Sequence, residues 1–189
     1  MMIDGKTRTL GLLGDPVEHT MSPLIHNTLS EKLGLNNVYV PFHTKAENLE
    51  AAVKGAYALN ILGLNVTVPH KNEVIQYLSE LDEGGQAIGA VNTLVRTENG
   101  YKGYNTDMMG LLREVRSYGV ELAGQDVIIL GAGGAAKAVA YMCVSNGAGH
   151  VYILNRTVAK AQAIADHMND FFGNQNMTAM SIQDYHKLP

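Results

Sequence analysis

Three polar residues near the middle of the chain, Asn65, Thr67 and Lys71, have the types and the spacing to bind and protonate a small polar molecule. Asn65 and Thr67 alternate with three apolar residues, which is the period of a half-buried strand: Leu64, Val66 and Val68. The two polar side chains therefore point the same way, roughly 7 Å apart, and Pro69 ends the strand before Lys71. This set suits a polyhydroxylated ligand, although an edge strand followed by a solvated lysine is the simpler explanation of the segment taken alone.

A second polar group precedes the first predicted helix. Ser22 followed by Pro23 is typical of a helix start, with serine as the N-cap. Apolar residues four apart predict the buried face of this helix, which Gly34 ends: Ile25, Leu29 and Leu33. A helix N-terminus attracts anions through its N–H groups and partial positive charge. The hydroxyls of Thr20 and Ser22 could therefore surround a ligand carboxylate, although Ser22 could also be only a cap.

A predicted β-hairpin brings two more polar residues toward this region. The dipeptide Asn99-Gly100 between two strand-like segments is a strong hairpin signal. With these two as the loop, Glu98 pairs with Tyr101, and the continued ladder places Asn92 opposite Asp107. Asp107 also begins a predicted helix, where a negative charge is favourable in itself, so both interpretations stay open.

The chain then carries a dinucleotide-binding pattern. Residues 126–130 form an apolar strand of the kind that is buried on both faces of a parallel sheet. A G-x-G-x-x-A loop and a helix to about Ser145 follow directly. Gly131 allows the turn, Gly133 lets a pyrophosphate approach the backbone, and Ala136 permits close helix packing. A turn that binds nothing is the alternative. The predicted cofactor loop is Gly131, Ala132, Gly133, Gly134 and Ala135.

The next strand, predicted at 150–154, ends in a segment that indicates the type of dinucleotide. An NAD-selective site usually has an acidic residue here, but this chain has Asn155 and Arg156. The arginine fork suits a 2′-phosphate, so the predicted cofactor is NADP. Thr157 is expected to cap the following helix. Lys160, in its first turn, is either a further phosphate contact or a solvated lysine.

The elements that position these residues alternate between strands and helices. The other predicted strands are residues 9–13, 38–42, 61–68, 90–97, 101–104 and 177–182. Thr44 and Glu47 form a predicted capping box for a helix to about Asn60, and residues 72–81 are also predicted to be helical. This order predicts an α/β fold with a largely parallel sheet. We expect a substrate-binding domain at 1–106, a Rossmann-like cofactor domain at 107–189, and an active site in the cleft between them.

The composition excludes several classes of function. The 189 residues carry a formal net charge of −4 without a basic stripe, which argues against nucleic-acid binding. No apolar run reaches membrane-spanning length, and the N-terminus lacks an apolar signal core. Cys143 is the single cysteine, and zinc-ligand spacings are absent. We therefore expect a cytosolic protein that binds no metal and no membrane.

The segment 65–71 resembles the substrate-site motif of shikimate dehydrogenases, and further motifs follow in that family's order. Residues 89–93 and 103–107 resemble the remaining substrate-site motifs, which implies that Asn92 and Asp107 contact the ligand. In this family two serines usually hold the substrate carboxylate. Here Thr20 replaces the first of them and adds a methyl group. The segment from Asn155 to Thr157 resembles that of the NADP-using members.

The resemblance implies the reversible, NADPH-dependent reduction of 3-dehydroshikimate to shikimate in aromatic amino-acid biosynthesis, without a metal. Hydride addition to a ketone creates an alkoxide that needs a proton, and Lys71 is the expected donor, oriented by Asp107. The Asp107 charge favours protonated lysine while burial disfavours it, and the sequence leaves this balance open. A quinate-type dehydrogenase is an alternative, and Thr20 is one position at which the choice between shikimate and quinate could be made. A non-catalytic relative that retains the ligand sites is another.

The predicted cofactor domain holds one βαβαβ half of a doubly wound fold, which normally has two. Members of the family continue with a second half that contacts the nicotinamide and returns a glutamine and a terminal helix to the substrate domain. We expect the 189 residues alone to show weak or absent turnover. We also expect them to self-associate, for example as a homodimer, through an open edge at Val127–Leu130. Alternatively, the sequence is part of a longer natural chain.

Overall fold

The computed structural model describes residues 3–188. The chain divides into two compact units, Met1–Thr106 and Asp107–Pro189, and each has its own β-sheet. Both units combine strands with helices, which confirms the predicted α/β class. Within the described residues, no helix has the length and apolar character that a membrane span requires.

The first unit is built on a six-stranded mixed sheet. Its strands are β1 Arg8–Gly14, β2 Asn37–His43, β3 Gly63–Val66, β4 Glu80–Leu81, β5 Thr93–Thr97 and β6 Gly100–Tyr104. They lie in the order β2-β1-β3-β5-β6-β4. β1 is parallel to β2 and β3, but the β3–β5 and β5–β6 pairs are antiparallel. This sheet is therefore mixed, whereas the sequence predicted a largely parallel one.

The helices of the first unit are α1 Ser22–Lys32, α2 Leu49–Ala58 and α3 Glu83–Ile88, with 3₁₀ helices at Ala46–Asn48 and Glu73–Tyr77. The predicted capping box is wrong, because the Thr44 hydroxyl donates to the Phe42 carbonyl oxygen and the α-helix begins only at Leu49. The predicted helix at 72–81 is only the second 3₁₀ helix, after which β4 pairs with β6.

The main core of this unit lies on one face of the sheet. Leu13, Leu64 and Val66 project from β1 and β3 onto α2, where Leu49 and Val53 meet them. Because side chains alternate along a strand, Leu12 projects to the opposite face and packs with Val17 and Tyr39. Val68 lies beyond β3 and is mostly exposed, so the predicted burial of this third apolar residue is wrong.

The start and the inner face of α1 differ from the prediction. Met21 is the N-cap and Ser22 is the first helical residue, so Ser22 does not cap the helix. The predicted inner residues are about half exposed or more: Ile25, Leu29 and Leu33. The helix instead turns His26, Asn27 and Ser30 inward, because Asn27 bonds to the Tyr39 backbone of edge strand β2 and His26 stacks on the Tyr39 ring.

The β5–β6 hairpin has a different register from the predicted one. Thr97 pairs with Gly100 and Thr93 with Tyr104, so the two loop residues are Glu98 and Asn99. A type I′ turn on Asn99-Gly100 requires positive φ at both residues, but only Gly100 has it. The predicted pairing of Glu98 with Tyr101, and of Asn92 with Asp107, is therefore wrong.

The second unit contains a parallel three-stranded sheet in the order β7-β8-β9. Its strands are β7 Asp126–Leu130, β8 His150–Asn155 and β9 Met177–Ser181, which confirms the three predicted strands. Its helices are α4 Asp107–Ser117, α5 Ala136–Ser145 and α6 Val158–Phe172, followed by a 3₁₀ helix at Ile182–Lys187. In β7, Ile129 is buried but Ile128 is 51% and Leu130 73% exposed, so the prediction of burial on both faces is wrong.

Candidate functional site

A cavity of about 380 Å³ opens in the first unit, on the face of the sheet opposite the main core. Six of its lining residues are those that the sequence singled out for ligand binding and proton transfer: Thr20, Ser22, Asn65, Thr67, Lys71 and Asn92. Four further lining residues were not predicted: Leu12, Pro16, His19 and Val66. The chain thus gathers hydroxyl, amide and ammonium groups from distant segments around one small volume.

Asn65 and Thr67 reach the cavity from β3 and the residue after its end. Their neighbours Leu64 and Val66 are almost fully buried, as the alternation predicts. The Thr67 N–H donates to the Leu13 carbonyl oxygen at 2.9 Å, which holds the segment against β1 beyond the last β3 residue. A β-carbon on Gly14 would stand 2.4 Å from the Thr67 methyl carbon, so this close approach requires glycine.

Thr20 and Ser22 form a coupled pair at the start of α1. The Thr20 hydroxyl oxygen accepts from the Ser22 N–H at 3.2 Å, and the same hydroxyl donates to Ser22 Oγ at 3.1 Å. The Thr20 hydroxyl therefore satisfies the N–H of the first helical residue, and the N-cap residue Met21 makes no side-chain capping bond. Both hydroxyls are half-buried beside a helix N-terminus, where the partial positive charge favours an anion.

Asn92 is fixed just before β5 by its neighbours. Its Oδ1 accepts three hydrogen bonds of 3.0 Å, from the Thr93 hydroxyl, the Thr106 N–H and the Thr106 hydroxyl. Its carbonyl oxygen accepts from Val66 N–H at 2.9 Å, which ties it to β3. Thr106 therefore occupies the role beside Asn92 that the predicted register gave to Asp107.

Lys71 follows a tight turn that begins at Thr67. The His70 N–H donates to the Thr67 carbonyl oxygen, and the Lys71 carbonyl oxygen accepts from Val91 N–H at 2.8 Å. His70 is 1% exposed, and its Nε2 lies 2.6 Å from the Thr44 carbonyl oxygen. Because a carbonyl oxygen only accepts, Nε2 carries the proton and anchors the turn that presents the half-buried Lys71 to the cavity.

Tyr39 bonds to Asn65 in the cavity wall without lining the cavity itself, and it was not identified from the sequence. Its hydroxyl donates to Asn65 Oδ1 at 2.8 Å. Burial raises the pKa of the Tyr39 phenol to about 12, and a hydrogen bond with Ser22 opposes that rise. A lone tyrosine in an amphipathic strand gives no sequence signal for this role, because it is equally typical of a core position.

In the second unit the glycine loop connects β7 to α5. The Gly131 N–H donates to the Leu154 carbonyl oxygen at 2.7 Å, and Gly131 has φ +106°, which favours glycine. Within residues 3–188, no hydrogen bond occupies the N–H groups of Gly133, Gly134 or Ala135, and a β-carbon on either glycine would meet no atom within 4 Å. Ala132 lies in the same loop. The loop therefore offers donors and open space at the N-terminus of a ten-residue helix.

The segment after β8 lies at the same edge of the sheet as this loop, because β7 and β8 are adjacent and parallel. Arg156, Thr157 and Lys160 are exposed there. Thr157 is the N-cap residue of α6, as predicted, but its hydroxyl makes no capping bond. Its carbonyl oxygen accepts instead from Asn155 Nδ2 at 2.8 Å and from Lys160 N–H at 3.1 Å.

Asp107 is the first residue of α4 and belongs to the second unit. A carboxylate in the first turn of a helix is stabilised by the helix dipole, as the sequence allowed. Its partnership with Lys71 stays a prediction. Among the described residues, no group of three or more histidine, cysteine, aspartate or glutamate side chains is arranged to hold a metal ion.

Comparison with protein families gives two matches that together span most of the chain. A family model described as "Shikimate dehydrogenase substrate binding domain" matches residues 12–94. A second, described as "Shikimate / quinate 5-dehydrogenase", matches residues 113–188. The boundary between these matches falls in the same region as the boundary between the two compact units.

Individual relatives agree with the family matches. The NADP(+) shikimate dehydrogenase of Caldanaerobacter subterraneus subsp. tengcongensis is 46% identical over 172 residues, which cover 91% of this chain and 61% of that protein. The shikimate dehydrogenase structure from Aquifex aeolicus is 37% identical with a TM-score of 0.82, covering 99% of this chain and 68% of that one.

A third relative has a structure with bound ligands. The shikimate 5-dehydrogenase of Listeria monocytogenes, in complex with shikimate and NAD, is 32% identical with a TM-score of 0.91, covering 99% of this chain and 65% of that one. The chain spans about three fifths of the length of the curated relatives that it matches first.

Proposed function

Because the chain belongs to the shikimate dehydrogenase family, we propose that it acts in the reversible, NADPH-dependent reduction of 3-dehydroshikimate to shikimate in aromatic amino-acid biosynthesis. One observation carries this proposal. A single cavity gathers the six side chains that the sequence indicated for a carboxylate, several hydroxyls and a transferred proton. The names of relatives as NADP(+) shikimate dehydrogenases support the same substrate and cofactor.

The binding roles follow from the chemistry of each group. Thr20 and Ser22 would hold the substrate carboxylate, because both hydroxyls lie beside the positive end of α1. Asn65, Thr67 and Asn92 would bind the ring hydroxyls, because amide and hydroxyl groups both donate and accept. Apolar atoms of Leu12 and Val66 complete the wall and exclude water from part of the ring.

Lys71 is the proposed proton-transfer residue. When NADPH is bound it supplies the hydride that converts the ketone carbon into a C–H carbon. The carbonyl oxygen then takes a proton from the Lys71 ammonium, and the neutral amine is reprotonated from solvent. In the oxidation direction neutral Lys71 removes the hydroxyl proton. Asp107 is proposed to orient Lys71 and to favour its charged form.

The second unit fits the phosphates of NADP. The N–H groups at Gly133, Gly134 and Ala135 are available to a pyrophosphate at the start of α5. The exposed Arg156 guanidinium would bind the 2′-phosphate, with Asn155, Thr157 and Lys160 beside it. Gly131 and Ala132 shape the loop that carries these donors.

A quinate-type activity is the second candidate, and Thr20 is one position at which the choice between the two substrates could be made. Quinate carries an additional ring hydroxyl, and the Thr20 methyl group changes the part of the cavity beside the carboxylate site. A non-catalytic relative would bind the same ligands without turnover.

The test separates binding from turnover. Titrating the ¹⁵N-labelled 189-residue protein with shikimate should shift resonances of cavity residues, and quinate should bind more weakly. NADP-linked oxidation of shikimate is then assayed on the same sample. Binding with turnover supports the dehydrogenase. Binding without turnover supports the binding roles alone, because weak or absent turnover is already expected of these 189 residues. Failure to bind either acid would contradict the proposed function.

A further inference from the structure

A hydrogen-bond chain begins at the buried phenol of Tyr39. The Tyr39 hydroxyl donates to Asn65 Oδ1 at 2.8 Å. The chain continues from Asn65 Nδ2 to Thr93 Oγ1 at 3.2 Å, and from Thr93 to Asn92 Oδ1 at 3.0 Å. The chain from Tyr39 therefore leads through Asn65 and Thr93 to Asn92, and both asparagines line the cavity.

Hydrogen-bond chemistry fixes which way the Asn65 amide faces. Asn65 Nδ2 lies 3.4 Å from the Asn92 carbonyl oxygen, which can only accept. The NH₂ group must therefore face Asn92, and the oxygen must face Tyr39. With Oδ1 facing it, the Tyr39 hydroxyl has to be the donor. Because Nδ2 is engaged by Thr93 and Asn92, Asn65 presents the remaining lone pair of Oδ1 to a ligand.

The surroundings of Tyr39 hold its hydroxyl in this place. The residue is 4% exposed, and its ring stacks on His26 with centroids 4.2 Å apart and planes 7° from parallel. The Asn27 side chain also binds its backbone N–H and carbonyl groups. A side chain fixed at both ring and backbone can hold its partner's orientation with little loss of entropy on binding.

We propose that Tyr39 is a positioning residue for the substrate, which fixes the Asn65 amide so that its Oδ1 accepts a hydrogen bond from a ring hydroxyl of the ligand. Tyr39 does not line the cavity, and it acts through Asn65. The inference rests on the proposed function, because it takes shikimate as the ligand. It adds a residue that contributes to binding without contacting the bound molecule.

Tyr39→Phe tests this, because it removes only the hydroxyl and keeps the ring against His26. Shikimate binding is measured by ¹H–¹⁵N titration of the 189-residue protein. We expect about tenfold weaker binding, the effect of one lost hydrogen bond in a buried network. In an Asn65→Ala background the same change should alter the affinity by about twofold or less, because the residue through which Tyr39 acts is gone.

Tyr101→Phe is the matched control. Tyr101 is also a buried tyrosine of the first unit, and its hydroxyl donates to the Ile61 carbonyl oxygen at 2.8 Å, away from the cavity lining. This variant should bind shikimate like the parent. Equal weakening by both tyrosine variants would show a general loss of stability and overturn the inference.

The outcomes also separate this inference from the proposed function. A parent protein that does not bind shikimate overturns both. A parent that binds, with Tyr39→Phe unchanged, overturns only the role of Tyr39. If circular dichroism shows that Tyr39→Phe is unfolded, the inference is tested on the parent protein by NMR. Its Tyr39 hydroxyl proton should be protected from exchange and show Overhauser contacts to the Asn65 amide with shikimate bound, and the absence of these contacts overturns the inference.

Discussion

The side-chain amide of Asn27 holds the backbone of Tyr39 by two hydrogen bonds, 2.9 Å from Asn27 Nδ2 to the Tyr39 carbonyl oxygen and 2.8 Å from the Tyr39 nitrogen to Asn27 Oδ1. β2 is an edge strand, so these backbone groups face away from β1 and have no neighbouring strand to pair with. Asn27 replaces the missing strand. It couples α1, which carries Ser22, to the residue that supports Asn65.

Asn27→Ala should therefore destabilise the first unit and weaken shikimate binding together. It leaves a buried N–H and carbonyl group without partners, which costs about 1–3 kcal/mol in the free energy of unfolding. The displaced Tyr39 should also lower the affinity for shikimate severalfold. Urea unfolding and the NMR titration measure the two effects.

The chain offers a matched control in its second sheet. Asn169 makes the same pair of bonds to the backbone of Met177 on edge strand β9, each 3.0 Å long. Asn169→Ala should cost about as much stability, by the same loss of two buried hydrogen bonds, and leave the shikimate affinity unchanged. A loss of affinity in both variants would mean that stability alone governs binding.

Gly14→Ala should damage the cavity wall. The added β-carbon would stand 2.4 Å from the Thr67 methyl carbon and 3.1 Å from a Val17 methyl carbon, so the Thr67 side chain must move. We expect overpacking to cost about 1–3 kcal/mol and the shikimate affinity to fall. Gly55→Ala, on α2 with no atom within 4 Å of the new carbon, should instead stabilise by about 0.5–1 kcal/mol. Unchanged affinity in Gly14→Ala would show that Thr67 does not contact the ligand.

All strands except β4, the polar lining of the cavity and the glycine loop could be predicted because their signals are local. The apolar run of β7, the glycine loop after it and the alternation around Asn65 are each set by a few adjacent residues. Helical spacing in α1 showed an apolar face, but it could not show which face packs on the sheet. Asn27 decides this by bonding to a strand that lies twelve residues further along the chain.

Long-range contacts also explain the residues that were missed. Tyr39 lies 26 residues from Asn65, and Thr106 lies 14 residues from Asn92. Neither pair has a sequence signal. The predicted register of the hairpin differs from the observed one by two residues. The Asn99-Gly100 dipeptide favoured a turn that the β5–β6 hairpin does not contain. The sequence therefore indicated which polar residues line the cavity, and the fold alone showed what holds them.

Lys71→Ala should lower kcat for NADP-linked shikimate oxidation by about 10²- to 10⁴-fold, the usual contribution of general acid–base catalysis. The change in KM should be smaller, because carboxylate and hydroxyl contacts are retained. Initial rates of NADPH formation measure this against the parent protein, and the test requires that the 189-residue parent, for which weak or absent turnover is expected, gives a measurable rate. Lys54→Ala, which removes an exposed lysine paired with Glu50 on α2, is the control and should be unchanged. A variant of Lys71 with normal kcat and raised KM would assign it to binding.

Arg156→Ala should weaken NADP binding and leave NAD binding nearly untouched. Loss of a charge-assisted pair with the 2′-phosphate costs about 1.5–3 kcal/mol, or roughly 10- to 150-fold in affinity. Calorimetric titration of both nucleotides measures the difference. Arg116→Ala removes another exposed arginine of the same unit, which faces Glu121, and should affect neither nucleotide. Equal losses for NADP and NAD in Arg156→Ala would assign a structural role.

The 189-residue protein should self-associate through β7. Within the described residues β7 is an edge strand, and its Ile128 and Leu130 side chains are 51% and 73% exposed. An exposed apolar edge is a template for pairing with another strand, and a second copy of the chain supplies an identical one. Light scattering should give a mass above that of one chain, which falls on dilution.

A charged residue introduced into the β7 edge should prevent this self-association. Leu130→Lys places an ammonium on the exposed side of β7, and a lysine on an edge strand disfavours pairing with another strand. We expect this variant to be monomeric by light scattering. Thr178→Lys is the control and places the same charge on β9, whose backbone at Met177 is already bonded by Asn169. This variant should still associate through β7. A monomeric parent protein, or equal loss of association in both variants, would contradict an interface at β7.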